Sequence, residues 1–334
     1  MTRAPRVVAL ATAVPPHRLT QLEARAFARR RFADLLNVER LLPLFDNTGI
    51  AERWIAAPIA WYEQDHDFPG KNALWSRTAL ALGHTAAAQA LAKSGIDRRD
   101  VAAIVFVSTT GVATPSLDSH LVQMLDLSRA IARVPLWGLG CAGGAAGLAR
   151  AAALCRGLDR PVLLVAAEVC SATFVPSDRS KANLVATALF ADGAAAAVIA
   201  PSGEGPSLLA GHSRLIDDSE DVMGWTLRPD GLQVRFARSI PAIVREVVPQ
   251  FIADAARAAG LPAGAIHHLV VHPGGAKVLA AYESALDIPS ARIASAHAVL
   301  RGYGNMSSPT ALFVLDELLR TTPPTGAHGL VIGL

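Results

Sequence analysis

The stretch GLGCAGGAAGLARAAALC spans Gly138–Cys155 and decides how the rest of the chain is read. Cys141 sits among glycines where an Ala/Leu-rich helical segment begins. A helix mouth carries unpaired N–H groups and partial positive charge, which together stabilise a thiolate. The same amides can hold an oxyanion. A small residue packed at a tight turn accounts for the same letters, so the stretch alone leaves both readings open. The glycines read as clearance around the thiol. Cys155 falls at helical spacing on the buried face and reads as core.

Outward from this stretch, VAAIVFVSTT (101–110), RPVLLVAAE (160–168) and GAAAAVIA (193–200) are apolar runs without strict alternation. That pattern predicts strands of a sheet covered on both faces. Helical segments fall around Asp118–Leu127 and Gly144–Arg156. The pattern then recurs: HHLVVHPGG (267–275) is a strand entering a Gly turn, Ala276–Leu286 is helical, YGNMSS (303–308) opens another helix, and HGLVIGL (328–334) is a strand. The interval from Ser108 to Cys141 equals that from His272 to Asn305. Two copies of a strand–helix–strand–helix–strand unit would place Cys141 and Asn305 at matching helix mouths. His272 would stand at a strand end, where ligands of open α/β sheets collect. Its ring can hold a thiol as thiolate or hydrogen-bond a carbonyl oxygen, and a satisfied core histidine is the alternative. Asn305 reads as a helix N-cap or as an amide aimed at a thioester oxygen. The halves divide as 1–205, carrying the cysteine, and 206–334, carrying His272 and Asn305. The second copy has no counterpart of LFADGAAAAVIA (189–200), so the repeat predicts that this half lacks its last loop and strand.

The 334 residues are 51% hydrophobic and 5% aromatic, so the core must be built mainly from Ala, Val and Leu. Uncharged runs such as Val101–Leu117 are broken by Ser, Thr, Gly and Pro, and none reads as a membrane span. The opening MTRAPRVVALATAVPPHRL could pass for a signal peptide, but its short apolar run enters Pro-Pro and predicts a first strand. A net charge of +3 without a basic block gives no support to nucleic-acid binding and suits a phosphate-bearing small molecule. Three cysteines without CxxC spacing argue against a disulfide framework or a metal site, and for a reducing cytoplasmic setting.

GLGCAGG around Cys141, TFVPSD (173–178), ALFADGAAA (188–196), VVHPGG around His272 and GYGNMSS around Asn305 occur in that order. Together they resemble the type III polyketide synthases, the chalcone-synthase-like branch of the thiolase superfamily, from about residue 36 to 334. WGLGCAGGAAGLARA, AEVCSATF, SKANLVATALFADG and MGWTLRPDGLQVRF resemble the bacterial alkylpyrone and alkylresorcinol synthases. The resemblance implies an α/β thiolase fold with duplicated βαβαβ halves in a five-layer αβαβα arrangement, and a homodimer. It implies an acyl-CoA starter and malonyl-CoA extenders, with no cofactor beyond these CoA thioesters. Cys141, His272 and Asn305 would be the catalytic set.

Phe190 matches the family's gatekeeper between CoA tunnel and reaction cavity, and Cys170 and Thr173 match cavity-lining positions. Val234 falls near a site where plant members carry a bulky phenylalanine, which implies room for a long aliphatic starter. Thr109, Glu168 and Ser307 match a hydrogen-bonded set linked in some members to thioester hydrolysis and aldol-type closure; Glu168 as a plain structural carboxylate is the alternative. The family's basic CoA-phosphate cluster is thinned here: Arg40 keeps a cation, while Pro43 and Asn47 occupy the other two positions. Arg53 or Lys277 would compensate, and Arg40, Gly274 and Lys277 are the CoA-contact candidates. The family's C-terminal Gly-Pro-Gly loop is absent. A β-ketoacyl-ACP synthase III-like enzyme, which makes one condensation with the same Cys-His-Asn set, and a non-catalytic acyl-CoA-binding protein are the alternatives.

Overall fold

A computed structural model describes residues 4–321 and 326–334. The three apolar runs become the middle of a five-stranded sheet. Its strands are β1 (Arg6–Ala13), β4 (Ala103–Val107), β5 (Ala132–Leu136), β6 (Val162–Val169) and β7 (Asp192–Ala200), after β2 (His17–Thr20) and β3 (Glu52–Ile55) are counted as a separate antiparallel pair. The order is β1-β7-β6-β4-β5, with β4 parallel to both neighbours and β7 antiparallel to β6 and β1. The opening segment is thus a strand, as its sequence predicts.

The absence of alternation follows from burial on both faces. Ile104, Phe106, Leu163, Val165, Ala194 and Ala196 share a core with the long helix Phe68–Ser94. The intervening Val105, Val107, Leu164 and Ala197 share the opposite core with the helix Gly143–Leu158. Alanine on β7 meets alanine on the long helix (Ala79, Ala86, Ala90), so those layers approach closely.

In the second half β8 (Met223–Arg228) and β9 (Gly231–Phe236) form an antiparallel hairpin, while β10 (Ile266–Val271) and β11 (His328–Ile332) pair in parallel. The helix Thr310–Thr321 joins Gly143–Leu158 between the two sheets, and helices Ile240–Ala258 and Ala276–Leu286 pack together beyond β10. The sequence of layers is helix, sheet, helices, sheet, helices, which is the five-layer α/β thiolase arrangement. Among the described residues the second sheet has two strands. No helix of the described residues is long and apolar enough to cross a membrane.

One element differs from the sequence reading. GYGNMSS does not open a helix: Ser307 takes a left-handed φ of +60° and the helix starts only at Thr310. A non-glycine residue at positive φ cannot continue a right-handed helix. Asn305 therefore lies in an isolated bridge with Phe190 and is not an N-cap.

Candidate active site

Cys141 lies in the single turn Gly140–Ala142 that feeds directly into the helix Gly143–Leu158, and it is buried. Two of the neighbouring glycines have a different use from the one read in the sequence. A Cβ on Gly144 would fall 2.1 Å from the Ser308 carbonyl oxygen, and one on Gly143 would fall 2.6 Å from Val107. Gly143 and Gly144 thus let the helix press against β4 and the Ser307–Ser308 turn, whereas Gly138 and Gly140, at φ +87° and +52°, have nothing within 4 Å of a would-be Cβ. The end of β11 closes on the same turn. The His272 N–H donates to Ile332 O at 2.9 Å, and Gly333 has backbone of Ala142 where a Cβ would stand.

His272 follows β10 directly and is 1% exposed, with neither ring nitrogen hydrogen-bonded. Burial pulls its pKa down to about 4, so the ring is neutral and has both an N–H and a lone pair to offer. Asn305 is held from several sides. Its N–H donates to Leu189 O and its carbonyl accepts from Ala191 N, each at 2.9 Å. Its side-chain amide donates to Gly274 O at 3.3 Å and accepts from Ser307 N at 2.8 Å.

The Cys141 thiol sits 3.5 Å from the Ser307 hydroxyl. Burial pushes its pKa up to about 11; the Ser307 hydrogen bond pulls it down, and the charge of Glu168 pushes it up. Burial favours the neutral form of both groups, because desolvation penalises thiolate and imidazolium alike, and it opposes the helix-mouth effect that would favour a thiolate.

Glu168, at the end of β6, is completely buried. Its carboxylate accepts from Thr109 N at 2.8 Å, Thr110 N at 3.0 Å, Thr110 Oγ1 at 2.7 Å and Ser308 Oγ at 2.8 Å. Ser108 Oγ donates at 3.3 Å and itself accepts from Trp75 Nε1 at 3.0 Å. Burial raises the Glu168 pKa while these donors oppose it. The expected Thr109–Glu168–Ser307 set is therefore corrected. Thr109 contributes its backbone N–H, and its hydroxyl has no partner. Ser308 supplies the hydroxyl, because consecutive side chains of the turn diverge and Ser307 faces Cys141.

Cys170, Thr173, Phe190 and Val234 do come together, on the wall of one mainly apolar cavity that continues to Leu19, Phe27 and Ile59. Cys141 is not on that wall; the link to the catalytic group runs through Phe190, which bridges Asn305. The Phe190 ring lies 5.9 Å from Trp225 on β8 and 6.1 Å from Phe236 on β9. Sequence reasoning missed these two aromatics, whose signal was confined to the motif MGWTLRPDGLQVRF.

Arg53 cannot compensate for the thinned basic cluster. It is 1% exposed, and Nη1 donates inward to Thr187 O at 2.7 Å and Phe190 O at 3.2 Å, while Nη2 donates to Gln21. Burial lowers its pKa to about 9 against the field of Asp192. Arg40 and Lys277 are exposed, and Gly274 is buried with its carbonyl on Asn305. Among the described residues no three His, Cys, Asp or Glu side chains converge as a metal site requires.

Comparison with known proteins fits this geometry. The chalcone and stilbene synthase N-terminal domain model matches residues 4–203, and the C-terminal domain model matches residues 207–328. A 1,3,6,8-tetrahydroxynaphthalene synthase of Streptomyces peucetius is 37% identical, over 99% of this chain and 90% of the relative. The crystal structure of the Streptomyces coelicolor 1,3,6,8-tetrahydroxynaphthalene synthase, a bacterial type III polyketide synthase, superposes with a TM-score of 0.93. It is 29% identical, and the match covers 99% of this chain and 95% of that one. The structure of CsyB complexed with CoA-SH gives a TM-score of 0.89 at 25% identity, covering 98% and 94%.

Proposed function

The chain belongs to the chalcone and stilbene synthase family and is a type III polyketide synthase; from that premise we propose that it extends a long-chain aliphatic acyl-CoA with malonyl-CoA and closes the product as an alkylpyrone or alkylresorcinol. The family's use of acyl-CoA and malonyl-CoA sets aside both a carrier-dependent single condensation and a non-catalytic role. The observation that carries the starter assignment is the cavity behind Phe190. Leu19, Phe27 and Ile59 line it together with Phe190, and Val234 is on its wall, where a bulkier side chain would take up space. Apolar walls of this kind favour a chain of methylenes, each worth about 0.8 kcal/mol on burial.

In this reading the Cys141 thiol loses its proton as substrate binds, His272 being the unpartnered base at hand. The thiolate attacks the starter carbonyl, and CoA leaves as its thiol with that proton. Malonyl-CoA then sets its thioester oxygen against the His272 N–H and the Asn305 amide. As CO2 departs, its bonding pair becomes the enolate, whose negative oxygen those donors stabilise. The enolate carbon attacks the Cys141 thioester, and the sulfur leaves as thiolate while the chain, two carbons longer, sits on CoA. Transfer back to Cys141 restarts the cycle. No cofactor is needed beyond the CoA thioesters. Arg40 and Lys277 are the exposed cations proposed for the CoA phosphates, with Gly274 lining the approach.

A homodimer and a cytoplasmic setting belong to the same proposal. β5 is an edge strand, and Trp137, just past it, is 58% exposed and donates to Gly111 O beside the exposed Val112. Open edges with apolar side chains are normally covered by a partner. A second reading of the product comes from the Streptomyces relative at 37% identity, named for tetrahydroxynaphthalene, which has no alkyl tail. Incubation with a long-chain acyl-CoA alone, followed by peptide mass spectrometry, tests the loading step. The acyl group is expected on the Cys141 peptide; an acyl group on Cys170 or Cys155, or none, overturns the assignment.

A further inference from the structure

The β8–β9 hairpin bears Val234 on the cavity wall and Trp225 and Phe236 against Phe190, yet among the described residues no third strand supports it. Its two-residue turn, Pro229–Asp230, closes the Arg228–Gly231 pair. At that turn a buried ammonium intervenes. Lys71, 3% exposed on the first turn of the helix Phe68–Ser94, donates from Nζ to the Asp230 carbonyl oxygen at 2.6 Å. The Asp230 carboxylate is held in turn by the Ser177 hydroxyl, from the segment that carries Thr173 and Phe174. Gly231, next in the hairpin, takes a φ of +145° that favours glycine, and Lys71 Nζ lies beside it.

Burying an ammonium is costly unless its charge is well used. Burial lowers the Lys71 pKa, and the charges of Asp230, Asp65 and Asp67 oppose that shift. The same stretch of helix grips other walls. Asn72 brackets Val112 with two hydrogen bonds of 2.9 Å, and Trp75 reaches the Glu168 set through Ser108. Hairpin, loop and carboxylate are thereby referred to one rigid helix.

We propose that Lys71 is a positioning residue that pins the β8–β9 wall and so sets which starter chain lengths the enzyme accepts. This rests on the reading that the cavity behind Phe190 receives the starter. The test compares wild type, Lys71→Met and Lys71→Arg across a series of straight-chain acyl-CoA starters. Malonyl-CoA decarboxylation and backbone hydrogen exchange are measured alongside. Lys71→Met is expected to keep the decarboxylation rate while the kcat/KM ratio of long to short starters shifts by about tenfold, the scale of one lost hydrogen bond to a charged group. Exchange should rise in residues 223–236 and not in β10–β11, and Lys71→Arg should restore both. An unchanged starter profile, or equal losses for every starter with exchange raised throughout, overturns the proposal. If wild type rejects long starters, the parent reading fails, and exchange in the hairpin still decides whether Lys71 pins it. Should Lys71→Met not fold, Ser177→Ala cuts the other tie from an exposed position and is held to the same outcomes.

Discussion

Replacing Gly144 by alanine adds one methyl group at the point where the Cys141 helix meets the Ser307–Ser308 turn. The added Cβ would stand 2.1 Å from the Ser308 carbonyl oxygen, and side chains essentially never come closer than 3.0 Å to such an atom. Helix or turn must therefore give way by about 1 Å, and both are backbone. Overpacking of this kind costs about 1–3 kcal/mol. The displacement also reaches the chemistry, because Ser308 holds Glu168 and Ser307 contacts the Cys141 thiol. Misplacing a reacting group by about 1 Å costs roughly a hundredfold in rate. Gly157, in the same helix, has nothing within 4 Å of its would-be Cβ and is the control. Gly157→Ala should gain up to about 1 kcal/mol from helix propensity and keep full activity. Urea denaturation gives the stability of each variant, and malonyl-CoA decarboxylation of the folded fraction gives the site's integrity. A Gly144→Ala enzyme as stable and as active as wild type would refute the close packing, and so would equal damage from Gly157→Ala.

Two further substitutions separate the steps. Asn305→Ala should leave acylation of Cys141 by the starter largely intact while slowing malonyl-CoA decarboxylation by about a hundredfold, the usual cost of one lost oxyanion donor; equal loss in both steps contradicts the division of labour. Ser307→Ala removes the hydrogen bond that favours the thiolate, so the Cys141 pKa should rise further. The pH profile of iodoacetamide alkylation is then displaced to higher pH by less than about one unit; a profile displaced to lower pH would mean that Ser307 opposes the thiolate.

The sheet was legible because its chemistry is local. Runs such as VLLVAAE have no polar face, and only strands covered on both sides need none. Cys141 at a turn before a helix and His272 at a strand end were legible for the same reason. What was hidden depends on which distant backbone arrives beside each residue. Gly143 and Gly144 look like clearance for a ligand until β4 and Ser308 are found against them. Arg53 looks like a surface cation in GIAERW until its guanidinium is found inside, bonded to carbonyls more than a hundred residues away. Ser307 and Ser308 are adjacent and alike in sequence, and only the left-handed backbone at Ser307 decides which one meets Glu168. Lys71 had no signal at all, since a lysine in a first helical turn is ordinarily exposed.

The starter assignment is the central claim, and mass spectrometry of the products tests it most directly. Purified enzyme is given malonyl-CoA with each of a panel of straight-chain acyl-CoA starters, short to long. The expected products have masses that rise with the starter by one methylene for each methylene added, with the long chains preferred. A single tail-free product of the mass of tetrahydroxynaphthalene, formed whichever starter is offered, would contradict the assignment.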